Sequence, residues 1–87
     1  VEAIDALGVA LWKGEGVQAD PARAFTLFLK AADAGYPPAM ENVATCYEQG
    51  TGVQANERLA LEWKIRSRAA RGDRNAQAWL WQNMEKK

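Results

Sequence analysis

Few residues in this 87-residue chain have the means to do chemistry, and none of them is histidine. That absence removes His-based triads, Cys–His dyads and the commonest zinc ligand together, so no metal or cofactor site is expected. Cys46, the single cysteine, stands beside Tyr47 in an apolar-periodic segment and reads as a small buried or half-buried hydrophobe rather than a reactive thiol. One cysteine leaves no disulfide within the chain and the redox compartment, cytoplasmic or periplasmic, open. The stretch Gly14-Glu15-Gly16-Val17-Gln18-Ala19-Asp20 has the look of a phosphate cradle. No Lys-Ser/Thr pair follows it, however, and Asp20 would repel an anion. Glu41 and Glu48 lie seven apart, on one face of a helix and about 10.5 Å apart along its axis. Nothing marks either as buried, so they read as a solvated acidic stripe and not as an acid–base pair. No catalytic residue is expected, and the chemistry left is recognition.

Charge and hydropathy bound what can be recognised. Formal net charge is zero, yet residues 1–56 carry seven acids against three bases, and residues 57–87 four acids against eight bases. Halves at −4 and +4 can orient a partner or favour head-to-tail association. Such a balance is not that of a dedicated nucleic-acid binder. Nearly half the residues are apolar and a quarter charged, as in soluble globular proteins. No apolar run approaches the roughly 20 residues of a membrane span.

These residues must be positioned by helices. Ala3, Leu7 and Leu11 recur at helical spacing over Glu2 to Lys13, with Ile4, Ala6, Val9, Ala10 and Trp12 filling most other faces. A helix apolar nearly all round wants cover on more than one side. Gly14 stops it in the left-handed conformation, Val17 is expected to tuck between the flanking helices, and Asp20-Pro21 opens the next helix as N-cap and first residue. That helix runs to about Ala34, with Ala24, Leu27 and Ala31 along one stripe, and Gly35 ends it. Tyr36-Pro37-Pro38 reads as a stiff link into a third helix, Ala39 to about Gln49, with Met40, Val43, Ala44 and Tyr47 inward. The glycine loop then returns 36 residues on as Gly50-Thr51-Gly52-Val53-Gln54-Ala55-Asn56. Asn56 caps a fourth helix to about Arg71, where Ala60, Trp63, Ser67 and Ala70 repeat the stripe of Ala24, Leu27, Ala31 and Ala34. Gly35 maps to Gly72 at a spacing of 37, so this helix holds one extra residue, to be absorbed by a bulge or in its final turn. A fifth helix follows from about Arg74 to Met84. Helix pairs repeated in this way stack into an all-α solenoid.

The residues Leu7-Gly8, Leu11, Gly14, Gly16-Val17, Asp20, Arg23-Ala24, Leu27-Phe28, Lys30-Ala31-Ala32, Gly35 and Ala39 resemble one full Sel1-like repeat. Val43-Ala44, Tyr47, Gly50, Gly52-Val53, Asn56, Ala60, Trp63, Ala69-Ala70, Gly72 and Ala76-Gln77 resemble a second. The resemblance implies an α/α solenoid related to tetratricopeptide repeats, divided as repeat one (1–36), repeat two (37–73) and a capping helix (74–87). It also implies a role common among bacterial adaptors and scaffolds, and a concave face lined by the first helix of each pair. Lys64 and Arg68 depart from the pattern, standing where the first copy has Phe28 and Ala32. Trp81 stands where the earlier copies have Gly8 and Ala44. It is expected to spread over the end of the fourth helix as a terminal cap, with no further repeat after Lys87.

Carried onto this chain, the concave face comprises Glu2, Asp5, Val9 and Trp12 from the first helix, and Glu41, Thr45 and Glu48 from the third. Ala78, Gln82 and Glu85 come from the fifth. The expected function is a non-enzymatic interaction module that holds a peptide or helix of another protein. Trp12 would anchor it, and the acidic lining would favour a basic segment. Replacing Trp12 by Ala is then expected to weaken binding without unfolding. Lys64, Arg68 and Arg71, on one face at i, i+4, i+7, form a possible secondary basic surface. The alternatives are the structural end of a longer solenoid, or a self-assembly unit using the apolar first helix. More remote is a relative that binds or hydrolyses peptidoglycan-like or β-lactam compounds, whose cysteine pairs this chain lacks.

Overall fold

In the computed structural model, which describes residues 2–84, five α-helices follow one another: α1 (Glu2–Lys13), α2 (Pro21–Asp33), α3 (Pro37–Gln49), α4 (Glu57–Ala70) and α5 (Arg74–Met84). Each packs chiefly on the helix before it and the helix after it, which is the layout of a solenoid. The stack is 41 Å long and 24 × 18 Å across.

The two long turns are copies at the level of hydrogen bonds. Asp20 N–H donates to the Leu11 carbonyl and Asn56 N–H to the Tyr47 carbonyl, both at 2.8 Å. Asp20 and Asn56 then accept from the backbone N–H of Arg23 and Leu59, three residues on, as N-caps do. Gly14 and Gly50 take left-handed φ of 74° and 70° at the preceding helix ends. Seven residues thus reverse the chain identically in each repeat.

The core consists of small residues wrapped round a few large ones. Ala24, Ala31, Ala39 and Ala44 are buried between helices and let the backbones approach closely, and Phe28, Val43 and Cys46 are the largest fully buried side chains. Phe25 meets Tyr47 edge-on at 5.3 Å across α2 and α3.

Four features differ from the sequence reading. α3 begins at Pro37 rather than Ala39, because prolines in a first helical turn have no N–H to leave unpaired and a preset φ. Cys46 is buried beside Val43, while Tyr47, read as inward, is half-buried. The extra residue of α4, by contrast, follows one of the two readings given for it: the α-helix is unbroken and the Arg71 N–H closes its last turn. Ala34 and Ala70 are exposed at their helix ends, where the stripe has run past its neighbours. Leu7 and Val17 are 47% and 44% exposed: the helix that packs over the matching buried Val43 and half-buried Val53 in repeat two has no counterpart among the described residues.

Trp81 is a further correction. Far from spreading over α4, it is 69% exposed. Ala76 is buried and Trp79 and Leu80 are half-buried, so these three share the covered face of α5, which packs on α4. Trp81 keeps the register of Gly8, whose added Cβ would meet the Phe28 ring at 2.7 Å. That register points toward the second helix of its own pair, and α5 has none among the described residues.

Candidate functional site

Equivalent positions in the two repeats carry opposite chemistry. In repeat one, Trp12 of α1 meets Phe28 of α2 edge-on, ring centroids 6.4 Å apart. Phe28 is fully buried and Ala32 almost so, which seals that side of the helix pair. Moving on by 36 residues replaces Trp12 with Glu48, Phe28 with Lys64 and Ala32 with Arg68. Glu48 and Lys64 form an ion pair in the aromatic pair's place. Polar ends that stay in water cannot close over the helix pair. A groove of about 440 Å³ opens between α3 and α4, lined by Glu41, Thr45, Lys64, Ser67, Arg68 and Arg71.

Each lining residue has an identifiable state. The Glu41 carboxylate accepts from the Arg71 guanidinium across the groove. Ser67, buried in the floor, shares its hydroxyl proton between the Pro37 carbonyl and a Glu41 oxygen, both at 3.3 Å. Thr45 donates to the Glu41 carbonyl at 3.0 Å, so its hydroxyl has only lone pairs left to offer. Arg68 is exposed and joins no ion pair among the described residues. Two acids against three bases leave one positive charge, carried by a guanidinium with its donors unused by carboxylate.

This redistributes the residues read from the sequence. Glu41, Thr45 and, at the rim, Glu48 come together, but with the basic residues Lys64, Arg68 and Arg71. The expected separate basic surface and the expected acidic stripe are one mixed-charge groove, because α3 and α4 present these faces to each other. Asp5 instead accepts from the Asn42 amide at 2.9 Å, tying α1 to α3. Desolvation first, then the charges of Glu2 and Asp5, push the Tyr36 phenol up from its ordinary value, so these two acids cluster near the α2–α3 corner. Val9 and Trp12 are half-buried against the core. Gln82 is exposed on α5 and Glu85 lies outside the described residues. Ser67 is the groove residue that sequence reasoning placed in the apolar stripe. Its being the one hydroxyl among alanines was the available signal.

Among the described residues, no three acidic or cysteine side chains converge where a metal ion could be held. No described helix is long and apolar enough to cross a membrane. Burial pushes the Cys46 thiol up, away from the thiolate that nucleophilic chemistry requires.

Stacked helix pairs joined by capped glycine turns, with an open polar groove on one pair, define a helical-repeat protein of the solenoid class. The Sel1 repeat model matches residues 1–36 and 37–64, and the chain belongs to the Sel1 repeat family. Sel1 repeats are generally protein–protein interaction modules, typically without enzymatic activity. No match to a curated protein or a solved structure accompanies it.

Proposed function

We propose that this chain is a non-enzymatic interaction module whose partner segment lies across the α3–α4 groove, with Thr45, Arg68 and the pairs Glu41–Arg71 and Glu48–Lys64 as the contact surface. One observation carries the reading: repeat two exchanges the sealing pair Trp12–Phe28 for Glu48–Lys64 and leaves an open polar groove. The ion pairs are half-exposed, at 46% and 43% for Lys64 and Glu48 and 55% and 51% for Arg71 and Glu41. Exposed pairs of this kind contribute about 0–1 kcal/mol to the fold, so a partner's charges can displace them at little cost. Arg68 supports a partner segment that brings a carboxylate, since a guanidinium binds one through two parallel hydrogen bonds. This replaces the basic segment expected from an unpaired acidic stripe.

The test is titration of the ¹⁵N-labelled domain with an oligoglutamate and an oligolysine peptide of equal length. The expected result is amide shifts at Thr45, Lys64, Arg68 and Arg71 with oligoglutamate, weakened at least tenfold by Arg68→Glu. Shifts confined to Val9 and Trp12, or a response to oligolysine alone, would return the site to the α1 face.

A further inference from the structure

We infer that the segment held in the α3–α4 groove carries an aromatic side chain about three residues from its carboxylate, the ring seating over Leu61 and the Lys64 stem while the carboxylate meets Arg68. This rests on the α3–α4 groove being the partner site, and adds the chemistry of the occupant's second contact.

The groove does not stop at Lys64. A recess of about 330 Å³ continues it toward the start of α4, lined by Glu48, Glu57, Ala60, Leu61 and Lys64. Lys64 lines both parts, so the two adjoin on one surface. α3 and α4 are inner helices of the described stack, packed on α2 and on α5. The recess therefore belongs to the interior of repeat two and not to an end of the stack.

Repeat one shows what fills this place. Thirty-six residues earlier, Glu48, Ala60, Leu61 and Lys64 correspond to Trp12, Ala24, Phe25 and Phe28. There the rings of Trp12 and Phe28 meet edge-on, and Phe28 is fully buried. Repeat two has neither ring. Ala60 is buried as the floor, Leu61 is 54% exposed, and the methylene stem of Lys64 is the apolar surface left beside them. Ala44 stands where Gly8 makes room for the Phe28 ring, so an incoming ring cannot reach that depth and lies shallower, over Ala60 and Leu61. In that position it also faces the Lys64 ammonium, an attraction its quadrupole supplies.

Charge fixes which end takes the carboxylate. Arg68 joins no ion pair among the described residues, and at the other end of the groove exposed Glu57 joins none either. The Arg68 end attracts an acid and the Glu57 end repels one, so the ring, not a second acid, belongs over Leu61. Leu61 and Arg68 are seven residues apart on α4, about 10.5 Å along its axis. Three residues of extended chain span about 9–10 Å. An extended segment with one acid and one aromatic residue three apart meets both contacts.

Titration of the ¹⁵N- and ¹³C-methyl-labelled chain with capped peptides tests this. The probes are acetyl-Glu-Gly-Gly-Trp-amide, the reversed acetyl-Trp-Gly-Gly-Glu-amide, and the same two with alanine in place of tryptophan. One order is expected to bind at least about tenfold tighter than its alanine counterpart, with a ring-current shift of the Leu61 methyl groups beside amide shifts at Arg68. Leu61→Asn, at an exposed position, should remove that gain and leave the affinity of the alanine peptide unchanged. The Leu61 methyl shift needs no variant, and it decides the matter if circular dichroism shows that Leu61→Asn loses helix. Amide shifts at Arg68 with all four peptides, but no gain from tryptophan in either order, overturn this inference and leave the groove as the partner site. A gain that persists in folded Leu61→Asn overturns it as well. Shifts at neither Arg68 nor Leu61 with any peptide overturn both.

Discussion

Two glycines at the same place in their repeats differ in what surrounds them, and that difference can be measured. Gly16 and Gly52 both hold φ near 70°, at 72° and 71°, so alanine at either pays the left-handed penalty of about 1 kcal/mol. At Gly52 the new Cβ also runs into the Pro21 carbonyl and the Ala22 Cα, and backbone does not swing aside as a side chain would. Gly52→Ala should lose about 3 kcal/mol or more by urea denaturation, and Gly16→Ala about 1 kcal/mol. Equal losses would mean that α2 does not lean on the second turn. Cys46 belongs to the same scale. Its raised thiol keeps its proton in the folded state after the unfolded chain has lost its own. Its contribution is therefore full below the ordinary thiol value of about 8.5 and is lost as pH rises from there toward the folded value. Thiol-specific labelling at pH 8 should be slow and should accelerate together with unfolding. Trp12, read as a binding anchor, has its ring against Phe28. Trp12→Ala should cost about 2–3 kcal/mol of stability, so reduced binding by that variant is not evidence for a groove contact.

At the scale of elements, the question is whether one helix pair can be given the other's character. Gly8 gives room to the Phe28 ring, and Ala44 stands at the matching place in repeat two with a methyl group in the way. The exchange Glu48→Trp with Lys64→Phe should therefore strain α3 against α4, and adding Ala44→Gly should relieve it. The triple variant should bury an aromatic pair and close the groove. Its melting temperature is expected to exceed that of the double variant, and its oligoglutamate response should be lost. Helix caps act at this scale too: Asp20→Ala and Asn56→Ala should each destabilise by about 1 kcal/mol, because each leaves the N–H of the third residue on without its acceptor. α4 absorbs its extra residue without a bulge, so Arg71 is carried on to face Glu41. The groove's closing ion pair depends on that added residue.

At the scale of the whole molecule, the solenoid is a one-dimensional stack whose stability is the sum of its pairs and the contacts between them. The described stack has uncovered apolar surface at both ends, at Leu7 and Val17 and at Trp81. Covering one end should stabilise all of it. A second copy of residues 1–36, fused ahead of Val1 in repeat register, should bring its own α2 onto the first glycine turn. Burying Leu7 and Val17 is expected to add on the order of 2–4 kcal/mol, read as a higher calorimetric midpoint. No gain in midpoint would show that the first turn is not equivalent to the second.

How much of this was legible in advance follows from the range of the forces involved. Helix limits and caps are set by residues within four or five places of one another, and the doubled turn by residues within nine. Gly14, Asp20, Gly50 and Asn56 announced them, and the 36-residue spacing named the family. The pairing of Glu41 with Arg71 and of Glu48 with Lys64 spans 30 and 16 residues, and no local pattern encodes it. Charges that read as two opposed surfaces became one groove only when α3 met α4. Trp81 was read as a cap because an indole standing where the earlier copies have Gly8 and Ala44 would bar the close approach of another helix. Its register aims it away from α4, and register against a neighbour is a tertiary property. The sequence by itself determined the repeat, the turns and the all-helical stack, since those rest on backbone geometry and short-range caps. Which apolar residues were covered, and which charges faced each other, was decided only by how the helices packed.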